Sequence, residues 1–143
     1  MRDLRFVELL GKPFEVFRKS DLPDELGPAE AAPVGEFKYV RYPQVGVSID
    51  LGAGSTVLAY FFEHAAISSE WATGVREGAR RDELLKEWGS PSRSGSAQLI
   101  PILGLQGAWD RWDQLKYAMH VQYAPADGTV AKVTVMHPSA VPR

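Results

Sequence analysis

The two halves of this chain read alike, and that likeness restricts the folds open to it more than any other feature. Leu10-Gly11-Lys12-Pro13 stands in one half and Trp88-Gly89-Ser90-Pro91 in the other. Each motif precedes a hairpin-like stretch. The first runs Val45 to Leu51, a Gly52-Ala53-Gly54-Ser55 turn, then Thr56 to Phe62; the second runs Ala118 to Tyr123, a turn at Asp127-Gly128, then Thr129 to Met136. Aligning Ile49 with Val121 and Val57 with Val130 needs one inserted residue in the second turn. Glycine followed two residues on by proline is how helices stop, since glycine accepts the left-handed cap and proline cannot continue the helix. The repeating unit is therefore a helix, a Gly-x-Pro stop and antiparallel strands. This predicts an α+β fold: a single domain, 1–143, made of a pseudo-repeat, 1–73 and 74–143.

Local patterns fill in the elements. Leu4, Phe6, Val7, Leu9 and Leu10 form a short apolar helical face, and Phe14 to Arg18 extends to a further turn. The stretch Asp21 to Gly35 holds three prolines and four acidic residues and reads as a loop, with one helical turn at Ala29 to Ala32. Phe37 to Tyr42, Val45 to Leu51 and Thr56 to Phe62 alternate as strands. His64 to Glu77 is connecting chain. Arg80 to Trp88 is the best helix, with Leu84, Leu85 and Trp88 on one face. Ser92 to Gln98 reads as a loop, and Trp109 to Asp113, Leu115 to Tyr123 and Val130 to Met136 as strands. The tail after His137 reads as loose.

The bulk properties narrow the function. The chain has 143 residues, 45% apolar and 24% charged, which suffices for a core without staples. It has no cysteine, so disulfides, thiolate metal sites and cysteine nucleophiles are excluded. The first residues carry scattered charge and no apolar segment of the secretory type, so a cytoplasmic protein is expected. The net charge of −2 supplies no drive toward nucleic acid or an anionic membrane, and neither is expected as a partner. Up to Thr73 there are seven Lys/Arg against eleven Asp/Glu, so the first half is acidic and suits a basic partner.

No catalytic frame is apparent. His64, His120 and His137 lack metal-ligand spacing, and no metal or cofactor is expected. No serine sits in a nucleophile elbow. In a strand, Asp110 and Trp112 face one way while Trp109, Arg111 and Asp113 face the other, so Asp110 and Asp113 cannot act as one acid/base pair. An Arg111–Asp113 ion pair in solvent beside a buried Trp112 is the plain reading of that segment. Trp109 and Arg111 are also residue types favoured at binding hot spots. The strand aromatics, Phe61 among them, read as core.

Leu10-Gly11-Lys12-Pro13, Tyr42-Pro43-Gln44-Val45-Gly46, Gly74 to Gly78, Trp88-Gly89-Ser90-Pro91, Trp109-Asp110-Arg111-Trp112-Asp113, His120-Val121-Gln122-Tyr123 and Val133-Thr134-Val135-Met136 together resemble a family of small bacterial proteins from polymorphic-toxin and immunity loci. The chain departs from that pattern at Trp88, where leucine is usual, and in its acidic Pro-rich segment. The unit also looks like the α+β modules of outer-membrane assembly lipoproteins, but a lipobox cysteine is lacking. The resemblance implies a non-enzymatic immunity protein that neutralises a cognate toxin by covering its active site. Its expected contacts are Asp21, Asp24, Glu25 and Glu30 in the acidic loop, Trp71, and Trp109, Asp110, Arg111 and Asp113. Two other readings stay open. One is a small-ligand or peptide-binding module with a pocket between the half-sheets. The other is an enzyme of unrecognised type using Glu63, His64 and His120.

Overall fold

In the computed structural model of the chain, residues 1–34, 37–63 and 70–142 are described. Its strands are β1 (Glu30–Val34), β2 (Phe37–Tyr42), β3 (Val47–Leu51), β4 (Val57–Glu63), β5 (Arg93–Gly95), β6 (Gln98–Ile100), β7 (Gly104–Gln106), β8 (Trp109–Asp113), β9 (Ala118–Tyr123) and β10 (Val130–Met136). Eight of them form one antiparallel sheet in the order β1-β2-β3-β4-β10-β9-β8-β5. Each half contributes a meander, and the last strand of one meander pairs with the last strand of the other. At that seam Lys132 lies opposite Glu63, Thr134 opposite Phe61 and Met136 opposite Ala59. The fold is α+β, as the sequence pattern predicts.

The period-2 patterning of the strands decides which face is the core. Val47, Ile49, Tyr60, Phe62, Met119, Val121, Val133 and Val135 all point to one side and are nearly or fully buried. Helices cover that side: α1 (Leu4–Leu9), α2 (Phe14–Lys19), α3 (Leu22–Leu26), α4 (Glu70–Thr73) and α5 (Arg81–Trp88). From them Phe6, Phe17, Leu22, Leu26, Ala72 and Leu84 enter the same apolar cluster. Phe6 meets Tyr60 edge-on at 5.0 Å between ring centres and Phe62 at 5.4 Å. A fully buried aromatic side chain stabilises by roughly 2 kcal/mol, so this triad anchors α1 to the sheet.

The hairpins sit in the register that the sequence alignment implies. Ile49 lies opposite Tyr60 and Val121 opposite Val133; Leu51 lies opposite Val57 and Tyr123 opposite Val130. The Gly-x-Pro motifs do not correspond in the same way. Pro13 bridges Thr56, and the Gly11 amide donates to the Val57 carbonyl at 2.7 Å. The segment that docks likewise in the second half is Gly78–Arg80: Arg80 bridges Thr129, and the Val130 amide donates to Ala79 at 2.8 Å. Gly89 instead ends α5, with φ of +79° and its amide bonded back to Leu85. The two motifs look alike because both stop a helix, but they stop helices at different places in the unit.

Other departures share a physical cause, which is tertiary pairing. The acidic segment holds α3, opened by Pro23 near its first position, and then β1, where Glu30 pairs with Arg41; Gly35 lies outside the described residues. Ser92 to Gln98 contains β5, and Leu99 to Leu105 folds back on itself as β6 and β7. Both pairings keep one register, with Arg93 opposite Arg111 and Leu99 opposite Leu105. Leu115 to Tyr117 is a turn, not strand. The tail is tied down by a 3-10 turn at Pro138–Ala140, capped by the His137 side chain. Among the described residues, no helix is long and apolar enough to cross a membrane.

Among the described residues, one buried side-chain group lacks a partner: the Tyr60 hydroxyl is enclosed with no hydrogen bond, and burial raises its pKa. An unsatisfied buried hydroxyl costs stability that its removal restores. Tyr60→Phe is expected to raise the unfolding free energy by about 1 kcal/mol in urea titrations; a loss of stability would mean that the hydroxyl is bonded in solution.

Candidate functional site

The face of the sheet away from the helices carries the candidate site. Strand registers order its side chains into three cross-strand rows. The first runs Glu63, Lys132, Gln122, Trp109, Gly95. The second runs Phe61, Thr134, His120, Arg111, Arg93. The third runs Asp50, Ala59, Met136, Ala118, Asp113. Over the third row the C-terminal segment folds back, packing Ala140 and Val141 against Ala59, Ala118 and Met136. The small side chains at Ala59 and Ala118 leave the room for it. What remains is a groove of about 500 Å³ that crosses the β4–β10 seam, lined from both halves of the chain. That volume lies in the range of small-molecule sites.

Its walls are aromatic and basic. Trp109 and His120 stack with ring centres 5.0 Å apart and planes 26° from parallel. The Trp109 indole lies directly over Gly95, where an added Cβ would come within 2.1 Å of Nε1. Only glycine leaves that position open, so Gly95 sets the orientation of Trp109. The Lys132 ammonium sits 5.5 Å from the Phe61 ring centre, within cation–π range. Arg111 is buried although it faces the groove. Its Nε donates to Asp113 at 2.8 Å, Nη2 to the same carboxylate at 3.2 Å, and Nη1 to the Pro142 carbonyl at 3.3 Å. Burial lowers the His120 pKa, and the charges of Lys132 and Arg111 push the same way, so the ring is neutral near pH 7. Partial burial raises that of Asp50.

Behind the groove, on the helix side, Asp110 ties the second half together. It is fully buried. Arg81 of α5 grips its carboxylate with two bonds, at 2.9 and 2.8 Å; Ser94 of β5 donates at 2.7 Å and the Tyr123 hydroxyl of β9 at 2.9 Å. Burial alone would raise the Asp110 pKa, but the bonds from Arg81, Ser94 and Tyr123 outweigh it and leave the carboxyl below its ordinary value. Trp112, two residues on and on the same face of β8, packs edge-on against Trp88 at 5.1 Å and donates its indole N–H to the carbonyl of Gly89, the residue that caps α5.

The nine contact residues expected from sequence fall in separate places. Asp21 and Glu25 converge on the Arg5 guanidinium, at 3.2 and 2.5 Å, while Asp24 stands exposed beside them on α3. Glu30 is exposed on the edge strand β1. Trp71 is half-buried against Phe6, at 5.7 Å, and serves the core. Trp109 and Arg111 line the groove, Asp113 flanks it, and Asp110 lies in the interior. The Arg111–Asp113 pair forms as expected, but its arginine is buried, not solvated. Phe61 faces the groove, not the core. His64 lies outside the described residues, so the grouping of Glu63, His64 and His120 is not addressed. Among the described residues, no cluster of three or more metal-ligating side chains occurs. Sequence reasoning missed Arg93, Gln122, Lys132 and Thr134, although strand alternation places the last three on one face.

No family model matches the chain, and no curated protein does. Two solved structures share its fold. One is a cysteine-rich secretory protein from Staphylococcus aureus subsp. aureus Mu50, 10% identical, with a TM-score of 0.58 over 92% of this chain. The chain spans 44% of that protein's length. The other is a DUF4309 family protein from Bacillus subtilis subsp. subtilis strain 168, 16% identical, with a TM-score of 0.52 over 95% of this chain and 98% of that one. At such identities the likeness is one of fold alone.

Two predictions follow from the charges. Replacing Asp110 by Asn removes the charge that holds Arg81 and is expected to cost about 3 kcal/mol in chemical denaturation; a loss under 1 kcal/mol would mean the network is replaceable. Because His120 binds a proton less readily when folded, the unfolded chain takes up more protons below the ordinary value of 6.5. Stability should therefore fall as pH drops below 6.5, and His120→Gln should lessen that slope in pH-dependent melting. Equal slopes in the two proteins would show that His120 titrates normally.

Proposed function

We propose that the chain is a non-enzymatic binding module whose ligand lies in the groove across the β4–β10 seam. One observation carries this reading: the helix-free face is hollowed where the two halves meet, and the hollow combines an apolar floor with polar and charged walls. Ligand sites have this make-up, since apolar area supplies affinity and a few placed polar groups supply orientation. The groups lining it suit recognition: a stacked aromatic pair, guanidinium and ammonium groups, and a neutral imidazole.

A second reading keeps the toxin-neutralising role implied by the sequence resemblance, in the cytoplasm and with a cognate toxin domain as partner. It is favoured by one observation, that Trp109 and Arg111, both expected as partner contacts, stand on the groove wall. A toxin loop would then occupy the same hollow. The acidic cluster at Asp21 and Glu25 supports this reading less, because Arg5 already neutralises part of its charge.

The two are separated by experiment. A thermal-shift screen of small amphipathic molecules is expected to yield ligands that raise the melting temperature of the wild type by several degrees at concentrations of about 100 Kd. Gln122→Trp fills the middle of the groove and should abolish the shift. Ligands that stabilise this variant equally would place binding elsewhere. Growth rescue on co-expression with a toxic polypeptide encoded immediately upstream, lost in Gln122→Trp, would favour the immunity reading.

A further inference from the structure

The groove has a direction. Its β4 end has an apolar floor of Leu58, Ala59, Phe61 and Met136 with the tail residue Ala140 at the rim, and the Lys132 ammonium rests over Phe61 there. Its β8–β5 end is cationic. There Arg93 and Arg111 lie directly opposite one another in register, on one face. Like charges placed so are destabilising unless something neutralises them. Asp113 and the Pro142 carbonyl occupy the Arg111 guanidinium. Arg93 is exposed and makes no ion pair among the described residues. Lys132 makes none either, although Glu63 is its cross-strand neighbour; its ammonium rests by Phe61. With Arg111 paired to Asp113, the lining sets Arg93 and Lys132 against one carboxylate, Asp50, which stands at the far, β3 side.

We infer that the groove takes an amphipathic carboxylate of the alkanoate type, its head group at Arg93 and its hydrocarbon tail along the rows toward Phe61 and Met136. The inference rests on the groove being the binding site. A guanidinium receives a carboxylate through two parallel N–H bonds, and such charge-assisted bonds are among the strongest polar contacts a site can offer. Asp50 repels the head from the opposite end and so fixes one orientation. Strands about 4.8 Å apart put β4 roughly 14 Å from β8 and roughly 19 Å from β5, the span of an extended medium-chain alkanoate.

Decanoate, decanol and decylamine titrated into the full chain test this, read by tryptophan fluorescence and by amide chemical shifts. Decanoate is expected to bind with shifts centred on Phe61, Thr134 and Trp109. Arg93→Glu should weaken decanoate by about tenfold or more and leave decanol unchanged. Arg93 is exposed, so the variant should fold, and Arg93→Gln serves as the milder substitution. Decanol or decylamine binding in the groove as tightly as decanoate would overturn the carboxylate assignment and leave the groove a binding site. Absence of groove shifts with every probe would overturn the inference and count against the binding reading as well.

Discussion

The antiparallel pairing of β4 with β10 is the constraint on which the rest of the molecule depends. Each meander alone is an open sheet of four strands. Joined at the seam, the two faces become one, and Phe6, Phe17 and Leu84 from separate helices enter a single core. The same seam makes the opposite face continuous. The groove exists because Ala59 and Phe61 from one half stand beside Thr134 and Met136 from the other.

Apolar burial holds the first half and a polar network completes the second. Around Phe6, Tyr60 and Phe62 the contacts are aromatic, and the Tyr60 hydroxyl has no hydrogen bond among the described residues. Around Asp110 the carboxylate meets donors from α5, β5 and β9 at once. A buried carboxylate is costly unless its oxygens are filled, and here they are. The network therefore acts as a register pin, since α5 and β5 cannot shift relative to β8 without stranding a charge. Trp109 and Arg111, the neighbours of Asp110 in β8, are thereby held facing the groove.

The parts of the fold that were legible in the sequence are those set by period-2 patterning over several residues. The strands at Val47–Leu51, Val57–Glu63 and Val130–Met136, and the register joining Ile49 and Val121 to their partners, needed only side-chain alternation. The elements missed are short and depend on a neighbour for their existence. Arg93–Gly95 is three polar or small residues that become a strand because β8 offers an edge. Glu30–Val34 carries a proline and survives as an edge strand. The groove was half legible: Trp109 and Arg111 stood out by residue type, whereas Lys132 and Thr134 gain meaning only from Phe61, more than seventy positions earlier and opposite Thr134.

That separation bears on how the molecule comes to exist. Pairing Ala59–Glu63 with Lys132–Met136 closes a loop of about seventy residues, and long-range closures come late because chain entropy opposes them until other contacts compensate. During synthesis the first meander emerges with its inner edge, β4, unpaired, and it stays so until Met136 has left the ribosome. A chain cut short before β10 therefore lacks the seam. The groove, assembled from both sides of that seam, reports that the whole chain has folded.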